Sequence, residues 1–104
     1  MKLNILGEKY EISEERDILK EDAHGTCDRF KKEIRICPSD LMFPEDSDAG
    51  TKDEKYKEVM RHEIIHAFLF EAGMESYSQD ELLVQWIAFM YPKLSKAFKD
   101  AGCE

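Results

Sequence analysis

Residues 59–70, VMRHEIIHAFLF, constrain this chain more than any other stretch. The segment is apolar on nearly every side of a helix, which predicts burial on most sides. Yet it carries two histidines and a glutamate, and burying such groups is costly unless each finds a partner. In a helix, residues i and i+4 lie one turn apart on one face, so His62 and His66 aim their imidazoles at a common point. Zinc accepts two nitrogens and one oxygen and keeps a fourth position for water. Glu63 falls about 100° round the helix from His62, off the ligand line but within reach of such a water. H-E-x-x-H is the spacing that metal-assisted hydrolysis requires: imidazoles on the ion and a carboxylate to take the proton of the water. The plain alternative is a pair of satisfied core histidines.

A two-histidine site needs a third protein ligand. His24 is the only other histidine, and it lies upstream. The carboxylates after His66 are Glu71, Glu75, Asp80, Glu81, Asp100 and Glu104. Glu71 points about 140° away from His66. Glu75 falls in the expected turn. Glu81 opens a second helix, which aims it at the metal if the two helices pack antiparallel. Gln85 and Ala88 follow at i+4 and i+7: an amide to hydrogen-bond a ligand and a small residue that allows close approach. Glu81 is the leading choice, with Asp80, Glu75 or no third protein ligand as alternatives. Against it stands the capping box that Ser78 and Glu81 would form, in which the glutamate bonds back to the Ser78 amide.

The rest of the chain reads as strands first, then helices. KLNIL and KYEIS alternate as paired strands around a turn at Gly7–Glu8. Residues 14–23 read as a short helix or an irregular segment. GTCD and EIRIC form a second hairpin, with Ile34 and Ile36 on one face, Glu33, Arg35 and Cys37 on the other, and Pro38 ending the strand. Residues 43–51 are a turn-rich loop. A helix starts at Thr51, capped by a Thr51–Glu54 box, and stops at Gly73. The next runs from Ser78 as N-cap to Tyr91, and Pro92 opens a further one. The expected fold is α+β: a small antiparallel sheet of about three strands packed on a buried HExxH helix and a second, ligand-bearing helix. At 104 residues the chain is expected to be one domain.

The net charge of −8 disfavours nucleic acid as a partner. No apolar run approaches a membrane span, and no secretory h-region is visible, so a cytoplasmic protein is expected. Cys27, Cys37 and Cys103 are odd in number and lack C-x-x-C spacing, which fits a reducing compartment. A Cys27–Cys37 bridge across the hairpin is the minor alternative.

HEIIH at 62–66 and ELLVQWIAFMYP at 81–92 together resemble the glutamate-zincins, and within them the ImmA/IrrE-like metallopeptidases and the single-domain minigluzincins. Those families follow the H-E-x-x-H helix with one of the form E-x-x-A-N-x-F-A that ends near a proline. Glu81, Ala88 and Pro92 match. Val84, Gln85 and Ile87 stand where alanine, asparagine and phenylalanine are usual. The resemblance implies zinc held by His62, His66 and Glu81, Glu63 as general base, and a peptide or protein substrate. It also implies an edge strand along the cleft, to which the hairpin containing 34–37 is similar. Many ImmA/IrrE-like proteins carry further domains or act on repressor proteins in mobile elements and phages, so a phage-related protein is expected.

The expected function is therefore a small zinc metallopeptidase, latent or narrow in substrate. The competing class is a non-catalytic zinc-binding regulatory or protein-interaction domain. His24, Tyr77 and Tyr91 are oxyanion donors by residue type only, and a solvated loop histidine is the simpler reading of His24. Cys103, near the chain end, is a candidate thiolate cap for the metal.

Overall fold

A computed structural model describes residues 1–21, 23–42 and 48–104. Strands β1 (Lys2–Ile5) and β2 (Glu8–Glu14) form the first hairpin. Its two turn residues are Leu6 and Gly7, both with positive φ (50° and 94°), one residue earlier than the sequence suggests. Positive φ at both central positions matches the twist of the flanking strands. Asn4 Oδ1 accepts the Gly7 amide at 2.9 Å and stabilises the turn. Residues Arg16–Glu21 then form a 3-10 turn that plugs Ile18 completely into the core.

The second hairpin consists of β3 (Gly25–Asp28) and β4 (Glu33–Ile36). Asp28 Oδ1 accepts the amides of Phe30 and Lys31 at 3.1 and 2.9 Å and shapes its loop. The two hairpins meet through β2 and β4, which run parallel with Ile12 opposite Ile34. The fold is α+β with helices packed on one sheet, as expected; the sheet has four strands in the order β1-β2-β4-β3 rather than about three, and it is mixed rather than antiparallel throughout. Burial explains the difference. β2 and β4 each bury two large side chains, Tyr10 with Ile12 and Ile34 with Ile36, against one on β1 and none on β3, so they take the centre and leave β1 and β3 as edges. Cys37, expected outward, is fully buried just past the end of β4.

Helix α1 (Ala49–Glu71) crosses the inner face of the sheet. Its N-cap is Asp48, whose Oδ1 accepts the Thr51 amide at 2.7 Å, so Thr51 lies inside the first turn and forms no capping box. The loop expected over 43–51 lies largely outside the described residues. Val59 and Ala67 join the core, while Phe68 is half exposed, so burial of this helix is less than all round. Tyr10 and Lys32 both reach Glu71, Tyr10 at 2.6 Å, and fasten the end of α1 to the sheet. Gly73, at φ 80°, terminates the helix as expected.

A single turn, α2 (Glu75–Ser78), leads to α3 (Glu81–Ala101). Asp80 caps α3 by accepting the Leu83 amide at 3.1 Å, which corrects the assignment of Ser78 as its N-cap. Pro92 opens no new helix and sits within α3. A proline has no N–H and leaves the carbonyl four residues earlier without its donor. That carbonyl belongs to Ala88, and Arg61 Nε of α1 donates to it at 2.8 Å. The break in one helix thereby becomes a contact with its neighbour. Val84 and Ala88 are fully buried against α1, and this close approach carries Glu81 to the histidines.

Candidate metal centre

α1 presents His62 and His66 one turn apart, and the start of α3 brings Glu81 to both. His62 Nε2 lies 2.9 Å from Glu81 Oε2, and His66 Nε2 lies 2.9 Å from Glu81 Oε1. The two Nε2 atoms are 3.1 Å apart. Tetrahedral ligands at 2.0–2.1 Å from a zinc ion would lie roughly 3.3 Å from one another, so the triangle is close to that size.

The hydrogen bonds around the rings decide which nitrogens are free. Gln85 Nε2 donates to the Glu58 carboxylate at 3.2 Å, an acceptor only, so the amide oxygen of Gln85 faces His62. His62 Nδ1 sits 2.7 Å from that oxygen and must carry the proton. His66 Nδ1 faces the backbone carbonyl of Ser78, again an acceptor only, and donates to it. In the neutral rings both Nε2 atoms then direct lone pairs at the Glu81 carboxylate. With the rings neutral, three acceptors converge, an arrangement a cation resolves. These three residues could hold a metal ion.

Glu63 is buried on the neighbouring side of α1. Burial pushes its carboxyl up to about 7, with Glu81 adding to the rise and His62 opposing it. Among the described residues no donor hydrogen-bonds this carboxylate. Gly25 of β3 packs directly on it: a Cβ built at Gly25 would lie 3.0 Å from Glu63 Cγ and 2.8 Å from Val59 Cγ1. The absence of a side chain at Gly25 is what lets the edge strand approach the glutamate.

The centre opens into a cleft of about 370 Å³, walled by β3 on one side and by Ser78, Gln79 and Glu81 on the other. Arg29, at the end of β3, lines it and sits 5.3 Å over the Phe70 ring. Of the second hairpin it is β3, not the 34–37 strand, that borders the cleft, because β4 is enclosed between β2 and β3. Cys37 N donates to His24 O, which makes that pair hydrogen-bonded. By antiparallel alternation the N–H and C=O groups of Gly25 and Cys27 then point away from β4, along the open edge.

The other residues singled out in the sequence are dispersed. Asp80 is a cap and Glu75 is exposed on α2, so neither stands among the converging donors. Glu71 faces the sheet. His24 is exposed but borders the centre together with His62, Glu63 and Gln85. Tyr77 and Tyr91 are half exposed, and neither lines the cleft. Cys103 lies just beyond the far end of α3, some 30 Å along the helix from Glu81, too far to cap a metal. Cys27 and Cys37 are both free thiols. Burial, aided by the Glu63 charge, pushes the Cys27 thiol up to about 12, so it stays protonated.

Sequence reasoning did not find Ser78, Gly25 or Arg61. Ser78 holds His66 twice: its carbonyl accepts from the ring, and its buried hydroxyl donates to the His66 carbonyl at 2.7 Å. Main-chain contacts of this kind leave no signature in residue type. Gly25 did offer a signal, a glycine opening an apolar strand, which marks a close backbone approach.

Compared with protein-family models, curated proteins and solved structures, the chain shows no significant match in any of the three. Among the described residues no helix is long and apolar enough to cross a membrane.

Proposed function

We propose that this protein is a zinc-dependent peptidase of the glutamate-zincin type, with His62, His66 and Glu81 as ligands and Glu63 as general base. The observation that carries the reading is the position of Glu63. A carboxylate with no hydrogen-bond donor among the described residues, lifted by burial towards neutral pH, stands beside three converging metal donors. A purely structural metal site gives such a group no task.

A bound zinc ion would supply an acidified water and a Lewis acid for the scissile carbonyl. The chain's own residues do the rest. Gln85 and the Ser78 carbonyl hold the imidazoles in one tautomer and orientation. Glu63 accepts the proton of the attacking water and returns it to the leaving nitrogen. The open edge of β3 receives a peptide as an added strand, through the outward N–H and C=O groups of Gly25 and Cys27. Donors on a strand edge suit an extended main chain, which supports a peptide substrate over a small ester or amide.

Two measurements test this. Protein purified without a histidine tag is expected to contain about one zinc per chain by elemental analysis. Glu63→Gln is expected to keep that zinc and to lose cleavage of a peptide library by at least about 100-fold. Cleavage by the variant at the wild-type rate would overturn the assignment of the base. A metal-free protein that takes up no zinc would overturn the centre itself.

A further inference from the structure

α3 carries Glu81 on one side and an apolar stripe on nearly the opposite side. Leu83, Ile87, Met90, Leu94, Ala97 and Ala101 recur at intervals of four and three, the spacing of a helix-pairing seam. The stripe lies about 160° round the helix from Glu81. Among the described residues it is covered only in part: Leu94, Ala97 and Ala101 are exposed, Leu83, Ile87 and Met90 half-buried. Trp86 flanks it at 62% exposure, and Tyr91 and Phe98 flank the other side. Exposed apolar side chains thus run along the whole length of this side, from Trp86 through Tyr91 and Leu94 to Phe98, a contiguous patch of the kind that marks an interaction surface.

We propose that this face joins two copies of the chain, with their α3 helices packed antiparallel about a two-fold axis. The order of side-chain sizes points to this occupant. Large residues stand at the start of the stripe and alanines at its end. An antiparallel pair sets Leu83 against the partner's Ala101, Ile87 against the partner's Ala97, and Met90 against the partner's Leu94. The outer layers then pair a large residue with an alanine and the central layers pair Met90 with Leu94, so no layer sets alanine against alanine. A parallel pair would crowd one end and leave a void between alanines at the other.

Charge agrees. The chain carries −8, but residues 80–101 balance Asp80, Glu81 and Asp100 against Lys93, Lys96 and Lys99. The stripe itself bears no charge, so two copies meet along their neutral side, with the helix dipoles opposed. Both metal centres remain open, because Glu81 faces away from the seam.

Sedimentation equilibrium of the full 12.2 kDa chain at about 100 µM is expected to give twice the monomer mass. Leu94→Glu and Met90→Lys, each alone, are expected to raise the dissociation constant at least ~30-fold, with helix content by circular dichroism unchanged. Both substitutions in one chain should restore the dimer, since position 90 of each copy faces position 94 of the other. A wild-type chain that stays monomeric overturns the proposal, whether it remains free or sediments with phosphatidylcholine vesicles. Single variants that remain dimeric, or a double variant that stays monomeric, overturn it too.

Discussion

The two walls of the cleft hold their residues by different means. On the sheet side, β3 meets α1 through shape: Gly25 lies against Glu63 and Val59 with no room for a side chain. On the helical side, Gln85 and Ser78 meet the same helix by accepting hydrogen bonds from the imidazole Nδ1 atoms, and Glu81 faces the two Nε2 atoms. The sheet wall therefore sets where Glu63, the proposed base, sits, and the helical wall sets how the candidate ligands point. A steric wall fails when atoms are added; a hydrogen-bonded wall fails when a polar atom is removed. The proposed hydrolysis needs both.

The largest effect is expected from adding atoms to the steric wall. Gly25→Val would drive its side chain into Val59 and Glu63 and push β3 or the carboxylate aside. Displacing a reacting group by about 1 Å costs on the order of 100-fold in rate. Peptide cleavage should fall by that much while zinc content stays near wild type. Loss of zinc in this variant would show that the two walls are not separable.

An intermediate effect is expected from the other wall. Gln85→Met keeps the length of the side chain and removes the acceptor of the His62 Nδ1 proton. Removal of such an outer partner typically weakens metal binding about 10- to 100-fold. Competition with a chromogenic chelator measures it. Because Gln85 is exposed, the apoprotein melting temperature should change little.

The smallest effect concerns the anchor that sets α1 on the sheet. Glu71 is held by Lys32 and Tyr10. Burial pushes its carboxyl up, but the Lys32 contact and the Tyr10 hydrogen bond together outweigh burial and hold it below the ordinary carboxylate range. A carboxyl lowered by folding contributes stability that is complete above its unfolded value and lost as pH falls through its folded one. Glu71→Gln should therefore destabilise the protein near pH 7 by about 1–2 kcal/mol. It should also flatten the loss of stability below about pH 4.5. Denaturant melts across pH give both quantities.

Local pattern made much of the fold legible. Alternation marked both hairpins, and Gly73 marked the end of α1. The turn at Leu6–Gly7 was displaced by one residue because a left-handed Leu6 is invisible to residue preference. The caps were misplaced for a related reason. Thr51 and Ser78 have the right chemistry, but an aspartate lies within two or three residues of each and binds the orphan amides instead. Ser78 was thereby left for the metal centre. Pro92 reads as a helix start, and only Arg61, a residue 31 positions away, makes an interior proline tolerable.

Two histidines and a glutamate on one buried turn were determined by the sequence alone, because helical geometry fixes what lies four residues apart. The third donor was not. Glu81, Asp80 and Glu75 are equivalent by type, and their separation came from packing: small Ala88 and Val84 let α3 close on α1 at the angle that carries Glu81 inward. The parallel union of β2 with β4 was likewise decided in three dimensions, since pairing between distant strands depends on which faces the whole chain manages to bury.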